Sequence, residues 1–481
     1  MTKEVEKFYI TTSIAYTNAQ PHIGFALESI QADVIARYEE SLGKDVWFLT
    51  GTDEHGIKIA KTAAEDSKTP KEFTDKIAKR YIELTKKLNL SNKDFIRTTD
   101  KIKHWPSVEK VWKKLKDNGD IEARDYEGYY CVGCEAFITE RTKDSLVGGC
   151  SLHPTSKLIE VKEKNYFFKL SKYASKIKKA IETNEMQIIP ETRKNEVISI
   201  INEGLKDISF SRSVKKLDWG IPVPGDPDQT IYVWADALTN YISAIGYENE
   251  SKQFKKYWPA DIHCIGKDIL RFHALIWPGI LLSLGLDLPK KIFVHGFVLS
   301  DGQKMSKSIG NVIDPFELLN KYGTDPVRYF FLREITPFQD GDFTIEKFEE
   351  RYNSDLAKGL GNLLSRVLKL AEEQDESLNI ENQELKIQVD KTETDYKEAL
   401  NNFKFDIALK SIWELIGFCD KYIEKEKPWE DKENKLSVIN DLLLAISKIA
   451  EFLALFLPET SEKIFEQLKT KESKSLFPRI D

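Results

Sequence analysis

The sequence predicts an α/β fold built on a parallel sheet, interrupted by one insertion and followed by an all-α region. Three observations predict it. Strand–turn–helix units recur, as at Phe8–Thr12 before a helix opening near Ile23, and at Ile262–Gly266 before Phe272. Between residues 118 and 225 that alternation breaks down, and three of the five cysteines crowd together there. From about residue 346 onward apolar residues keep a helical rhythm almost to the end. The 481 residues suit about two to four domains. With 41% hydrophobic and 31% charged residues, the chain can bury a core and solvate its surface. No run of 18 apolar residues occurs, so neither a membrane span nor a membrane partner is expected. Met1–Lys7 alternates acid and base with no apolar or Arg/Ser-rich leader, which leads us to expect a cytoplasmic protein. A net charge of −7 excludes a wholly basic nucleic-acid coat but not a local basic surface.

Phe8-Tyr9-Ile10-Thr11-Thr12 is aromatic and β-branched, a buried-strand pattern. After a polar turn, Ile23, Leu27, Ile30, Val34, Tyr38 and Leu42 recur at helical spacing, and Gly43 ends the helix. A strand, a turn and then a helix N-terminus form an anion site, with free N–H groups and a positive dipole end. His22 at that mouth can donate to a phosphate or act as a structural hydrogen bonder. Gly24 permits close approach of a nucleotide. Asp45-Val46-Trp47-Phe48-Leu49 reads as the next strand and runs into Gly51-Thr52-Asp53-Glu54-His55-Gly56. Asp53 at that strand end either meets a ligand or caps the following helix. Residues 57–88 read as mostly helical, as does Trp105–Lys116, which stops at Asn118-Gly119.

The insertion carries Cys131, Cys134, Cys150 and His153, spaced C-x2-C-x15-C-x2-H. Four N/S donors in two knuckles suit tetrahedral Zn²⁺, and with no open coordination position the metal would be structural. Free buried thiols are the plain alternative. Lys169, Lys172, Lys176, Lys178 and Lys179 flank a helix, either as a solvated face or as phosphate contacts.

Pro222–Pro227 reads as a rigid linker back to a strand, Thr230–Trp234, with Asp236 and Tyr241 following. Next, the strand from Ile262 ends in Gly266-Lys267-Asp268, a second strand-to-helix mouth. Asp268 there can accept from ribose hydroxyls, and Gly266 lets adenosine pack closely. Trp234, Tyr241, Phe272 and His273 are polarizable rings, fit for a thioether chain or for ordinary core. Farther on, Lys304-Met305-Ser306-Lys307-Ser308 lies between Gly302 and Gly310. Two ammonium groups on a loop able to swing suit a substrate whose phosphates gain charge, although a lone KxxK is commonly only a solvated turn.

Asp314-Pro315 and Asp325-Pro326 read as helix starts with proline at the first position. Residues 371–397 are polar and charged, a pattern expected for an exposed hairpin, and Leu442–Leu457 reads as a core-facing helix. Trp429 after Pro428 is either core or a platform for an unstacked base, and Asn362 with Arg366 can read base edges or phosphates.

Taken together, His22-Ile23-Gly24 and Lys304-Met305-Ser306-Lys307-Ser308 resemble the HIGH and KMSKS motifs of class I aminoacyl-tRNA synthetases. Gly51–Gly56, the single knuckle pair, Trp234-Ala235-Asp236-Ala237-Leu238, Gly266-Lys267-Asp268-Ile269 with Phe272-His273, Gly361–Arg366 and Lys427-Pro428-Trp429 are similar to segments of the methionyl-tRNA synthetases. The resemblance runs from Phe8 to about Leu457. It departs at Phe25, where the family usually has a second histidine, and at Ser13 and Ala15, commonly proline and tyrosine in bacterial members. Phe25 cannot donate a hydrogen bond, so more of the burden falls on His22, Lys304 and Lys307, and Ser13 and Ala15 imply a remodelled pocket edge.

The resemblance implies a Rossmann-type catalytic domain in two halves, residues 1–117 and 226–290, split by a connective-peptide insertion at 118–225. A loop and connector at 291–345 and a helical anticodon-binding domain at 346–481 would complete the chain. It implies that ATP, L-methionine and tRNA(Met) are the partners, with Mg²⁺ accompanying ATP and one structural Zn²⁺. His22, Lys304 and Lys307 would stabilise phosphate charge, with Gly24, Gly266 and Asp268 also binding ATP. Ser13, Ile14, Tyr16, Asp53, Trp234, Tyr241, Ile269 and His273 would line the methionine pocket, with Asp53 on the ammonium. Asn362, Arg366 and Trp429 would meet the anticodon. The chain ends soon after this helical region, from which a monomer is expected. No separate editing domain is visible, although an apolar pocket separates substrates one methylene apart by only about 1–3 kcal/mol.

Overall fold

The computed structural model describes residues 5–131, 136–138, 158–305, 310–371, 379–430 and 435–480. They form two compact units. One comprises Met1–Gln20, Gly43–Glu83 and Asn92–Val294, the other Pro21–Leu42, Leu84–Ser91 and His295–Asp481.

The first unit is centred on a seven-stranded sheet. Lys7–Thr12 lies between Asp45–Asp53 and Ile262–Gly266, parallel to both. Asp94–Arg97 and Ala15–Tyr16 pair with Asp45–Asp53, and Lys291–His295 with Gln187–Ile189 follow Ile262–Gly266 on the other side. The first strand is buried from Phe8 to Thr12 because both its faces are covered: Tyr9 and Ile10 are fully buried. A Cβ at Gly51 would stand 2.2 Å from the carbonyl oxygen of Ile96, so only glycine lets Asp94–Arg97 pair there. The strand order reverses between Lys7–Thr12 and Ile262–Gly266, and in open α/β sheets the crevice beyond the carboxyl ends at that reversal is where ligands bind.

The insertion is antiparallel. Ile121–Cys131 pairs along its whole length with Leu158–Phe168, from Ile121↔Phe168 to Cys131↔Leu158. Ala136–Ile138 and Ile208–Ser209 complete that sheet, and Ser211–Ser213, Asp226–Ile231 and Pro222–Val223 form a second. Pro222–Pro227 is therefore not a plain linker: Val223 pairs with Asp226 around Gly225, whose φ is +83°.

Two further expectations are corrected in this unit. Trp234 lies on the helix Val233–Leu238, not on a strand. The ladder ends where Ile231 N–H donates to Ile221, and Tyr232 O then accepts from Ala235 and Asp236, starting a turn that Ala, Asp and Leu continue. Gly266 does not open a regular helix either. Lys267–Ile269 winds as a 3₁₀ turn and Phe272–Ile276 as a π turn before the α-helix Trp277–Leu284.

The second unit holds the helix Ile23–Ser41, a small sheet of Gln303–Lys304, Val298–Ser300 and Gly341–Phe343, and helices from Pro315 onward. Pro315 is at the first position of its helix, as expected, whereas Pro326 is the third residue of Thr324–Arg333. Ile345–Arg351, Tyr352–Gly361 and Asn362–Leu370 run on as one rod with a π-wound middle. The polar stretch expected as a hairpin contains instead the 19-residue helix Gln383–Asn401, with Leu385, Val389, Tyr396 and Leu400 buried; residues 372–378 lie outside the described residues. Phe405–Glu426 and Lys435–Leu453 pack with it, and Pro458–Thr470 packs against Lys435–Leu453. Among the described residues no helix is long and apolar enough to cross a membrane.

Candidate active site

In the first unit the residues singled out from sequence converge on the strand-order reversal. Ser13 N–H donates to Cys264 O at 2.9 Å, carrying the chain just past the end of the first strand. Ile14 and Tyr16 are half-buried beyond it, and Tyr16 pairs with Asp53. Asp53 is buried and ends its strand. The next helix starts at Ile57 with Gly56 at its N-cap, so Asp53 does not cap it, and the alternative reading falls. Gly266 ends the strand on the other side of Lys7–Thr12, Asp268 is exposed on the following turn, and Ile269 is half-buried.

The ring cluster has a defined hydrogen-bond order. Trp234 stacks on Phe272 at 3.7 Å and 7°, and His273 meets Trp234 edge-on. His273 Nδ1 lies 3.0 Å from Ile269 O, which can only accept, so Nδ1 carries the proton. Nε2 then accepts from the Tyr241 hydroxyl at 2.6 Å. Burial pushes His273 down to about 4, so the ring is neutral near pH 7. Behind it, Trp277 Nε1 donates to His263 Nε2 at 3.3 Å, which leaves Nδ1–H to donate to Thr11 Oγ1 at 2.8 Å. Burial, and secondarily His273, holds His263 well below the ordinary histidine range. Tyr9 OH donates to Tyr241 O at 2.7 Å. The result is a wall of neutral, polarizable rings, which accepts an apolar chain and repels an additional charge.

In the second unit, His22 is the N-cap of Ile23–Ser41, and its Nδ1 accepts from Gly24 N–H at 3.0 Å. The structure shows the structural reading of His22: Nδ1 accepts from the backbone and caps the helix, which places the ring proton of the neutral imidazole on Nε2. Gly24 has a reason the sequence did not show. A Cβ there would stand 2.8 Å from His22 Cε1 and 2.9 Å from Nδ1, so only glycine leaves room for the capping ring. Met305 Cε lies 4.0 Å from the same point. Phe25 is buried. Val298–Ser300 and Gln303–Lys304 are joined by Asp301 and Gly302 at φ +52° and +72°, a two-residue hairpin turn of the I′ kind. Gly302 N–H donates to Asp342 at 2.7 Å. Lys304 is exposed, its Nζ 4.6 Å over the Phe297 ring. Lys307 lies outside the described residues.

Cys131 is buried and unoxidised at the last position of its strand, opposite both Ala136 and Leu158. Cys134, Cys150 and His153 lie outside the described residues, among which no group of metal donors occurs. That register places Cys131, Ala136 and Leu158 together at one end of one sheet, and the donor types in the intervening sequence suit zinc. The lysines of the insertion favour the solvated-face reading: Lys169 pairs with Glu122, Lys172 with Asp120, and Lys178 bonds Asn202.

In the helical region Asn362 is exposed, with Arg366 one turn on. Arg366 Nη2 pairs with Glu424 at 2.6 Å. Trp429 is 46% exposed, which rules out the core reading. Lys427 at φ +43° turns the chain out of Phe405–Glu426 just before it.

Sequence reasoning missed one cluster. Asp236 Oδ2 lies 2.7 Å from His55 Nδ1, and its Oδ1 lies 2.7 Å from His104 Nε2. These histidines lie 181 and 132 residues away in the chain, so no local pattern signals them. Burial acts to raise Asp236, but the charge and bonds of His55, together with His104, outweigh it and hold the carboxyl below its usual range.

The comparisons with known families define the class, a class I tRNA ligase. Residues 8–368 match the family described as tRNA synthetases class I (M), and residues 382–479 match the anticodon-binding domain of tRNA ligase. The chain belongs to the methionyl-tRNA synthetases, the class I enzymes that activate methionine with ATP and charge tRNA with it. It is 43% identical to the methionine–tRNA ligase of Thermotoga maritima over 98% of this chain and 76% of that one. To the Brucella suis enzyme it is 40% identical, over 99% and 94%. A solved structure of the Mycobacterium tuberculosis methionyl-tRNA synthetase in complex with methionyl-adenylate superposes with a TM-score of 0.90, at 38% identity, covering 96% of this chain and 94% of that one.

Proposed function

We propose that this chain makes methionyl-adenylate from L-methionine and ATP, then transfers methionine to tRNA(Met), with the following division of labour. The methionine carboxylate attacks the α-phosphate in line and pyrophosphate leaves. The terminal adenosine hydroxyl of tRNA then attacks the acyl carbon. No protein nucleophile takes part; rate comes from positioning and charge stabilisation. Mg²⁺ bound with ATP neutralises part of the triphosphate charge.

His22 donates from Nε2 to phosphate, Lys304 and Lys307 follow the charge as it develops, and Gly24 keeps His22 in place. Gly266 and Asp268 hold adenosine, with Asp268 accepting from ribose. Asp53 takes the substrate ammonium. Ser13, Ile14, Tyr16, Trp234, Tyr241, Ile269 and His273 enclose the side chain. The observation that carries this reading is the neutral His273–Tyr241 pair behind Trp234, in the same unit as a buried carboxylate, Asp53, at a strand end. That combination suits a ligand with one cationic end and one polarizable, uncharged end. Asn362, Arg366 and Trp429 meet the anticodon, and Trp429's exposure supports base stacking. Cys131, Cys134, Cys150 and His153 hold one structural Zn²⁺, which cross-links the insertion. On the same reading the protein works as a cytoplasmic monomer.

The test is amino-acid-dependent ATP–pyrophosphate exchange without tRNA, across a panel of amino acids. Methionine should give the highest exchange, and Lys307→Ala should lower it by about 100-fold. Maximal exchange with leucine or cysteine would defeat the assignment of substrate. No exchange with any amino acid, alongside intact tRNA binding, would favour a binding-only protein and point to Phe25.

A further inference from the structure

The tip of the strand that carries Asp53 is held by buried polar groups on two sides. On one side Glu54 accepts from Arg97 Nε and Nη2 at 2.7 and 2.8 Å and from Thr52 Oγ1 at 2.6 Å. On the other, His55 bonds Asp236, and Asp236 bonds His104. His104 Nδ1 lies 2.7 Å from Ser243 Oγ. All three members of the second group are almost fully buried, with Asp236 1%, His55 2% and His104 0% exposed. Trp105 and Trp219 meet the His55 ring edge-on, and Trp219 also bonds the backbone of Glu54 and Gly56.

The placement matters more than the burial. His55 is two residues beyond Asp53, and Asp236 is two residues beyond Trp234 on the same short helix. One carboxylate thus spans the segment that carries the acid and the segment that carries the ring wall, and His104 anchors it to the start of the helix Trp105–Asp117. Hydrophobic packing alone would hold these segments in contact but not at a fixed spacing; two short bonds from one planar group do. We propose that Asp236, through His55 and His104, is a positioning group that fixes Asp53 relative to Trp234, so that the pocket grips the ammonium of methionine while its side chain lies against the rings. This inference rests on the role given to Asp53 above.

The test compares the affinity of L-methionine with that of 4-(methylthio)butanoate, the same molecule without its ammonium group, by calorimetry on the whole protein. In the wild type the ratio of the two affinities reports the grip on the ammonium. Asp236→Asn should reduce that ratio by about tenfold or more, through weaker methionine binding, with the KM for ATP little changed. If that variant does not fold, His55→Ala and His55→Gln give the same information: His55→Gln keeps an N–H donor toward Asp236 and should retain most of the ratio that His55→Ala loses. An equal loss for both ligands, tracking a fall in thermal midpoint, would mean that the cluster is merely structural and would overturn the proposal. Asp53→Asn separates the two layers of the argument. A collapsed ratio there, beside an unchanged ratio in Asp236→Asn, overturns the inference alone. A wild-type ratio in Asp53→Asn overturns the role of Asp53 and the inference with it.

Discussion

Arg328 Nη2 lies 2.7 Å from Asp33 Oδ2, and neither side chain has any exposed surface. The same guanidinium donates from Nε to Phe456 O at 2.7 Å, from Nη1 to Leu88 O at 3.0 Å and from Nη2 to Leu455 O at 3.2 Å. It thereby joins three elements of the second unit: the helix that His22 caps, the Leu84–Ser91 segment, and the turn between the last two long helices. Burial acts to raise Asp33, but Arg328 first and Arg37 second keep its carboxyl below the usual range. Arg328→Ala should destabilise the protein by about 3 kcal/mol, toward the low end for breaking a buried pair because Arg37 remains at 2.8 Å. Arg328→Lys should recover little of it, since one ammonium cannot reach four acceptors spread around a planar fork. Denaturant midpoints for the two variants check this; a lysine variant as stable as wild type would refute the geometric argument.

Gly24→Ala tests the helix mouth without removing any polar group. The added methyl group must displace the His22 ring, which it would otherwise approach to 2.8 Å. Pyrophosphate exchange should fall by about 100-fold, as for loss of one charge-stabilising donor, while the thermal midpoint changes by only a few degrees. An alanine variant with full exchange would show that the position of His22 does not limit the reaction.

Acid should unfold this protein partly through His273. Its folded value of about 4 lies below the ordinary 6.5, so between those values the unfolded chain binds more protons. Stability from this group is complete above pH 6.5 and is lost as pH falls toward 4, by roughly 3 kcal/mol in total. His263 shifts in the same direction. In His273→Gln the amide can donate to Ile269 and accept from Tyr241, yet it does not titrate. Urea midpoints measured from pH 7 to pH 4 should therefore fall less steeply in the variant, and parallel slopes would refute the assignment.

For the insertion, protein purified without chelator should carry one zinc per chain, and Cys131→Ser should lower both that content and the thermal midpoint. Clearly less than one equivalent in carefully prepared wild type would leave Cys131 as an ordinary buried thiol.

Local periodicity makes much of this fold legible. Ile23 through Tyr38 and Phe8 through Thr12 stand where their spacing puts them, because there propensity and burial agree. Trp234 misleads because the β-branched run before it resembles a strand, whereas the ladder stops at Ile231 and the helix formers after it prevail. The helix Gln383–Asn401 is obscured by its charge, although Leu385, Val389, Tyr396 and Leu400 have the right spacing to reveal it. Of the candidate site, the motif residues are legible as candidates. Which nitrogen of His22 is committed to the backbone, and the tie of Asp236 to His55 and His104, are not, since both depend on contacts that chain order does not encode.

The Asp301–Gly302 turn restricts how this loop can diversify. Side chains alternate along Val298–Ser300 and Gln303–Lys304, so a length change between Ser300 and Gln303 that slips their pairing by one residue would turn Lys304 to the opposite face. Apart from the positive-φ positions Asp301 and Gly302 and the lysines, amino-acid identity in the loop is open to drift, but its length is not. A mutational library aimed at this region should keep the number of codons between Ser300 and Lys304 constant; frame-preserving length variants should fail even when every lysine of the loop survives.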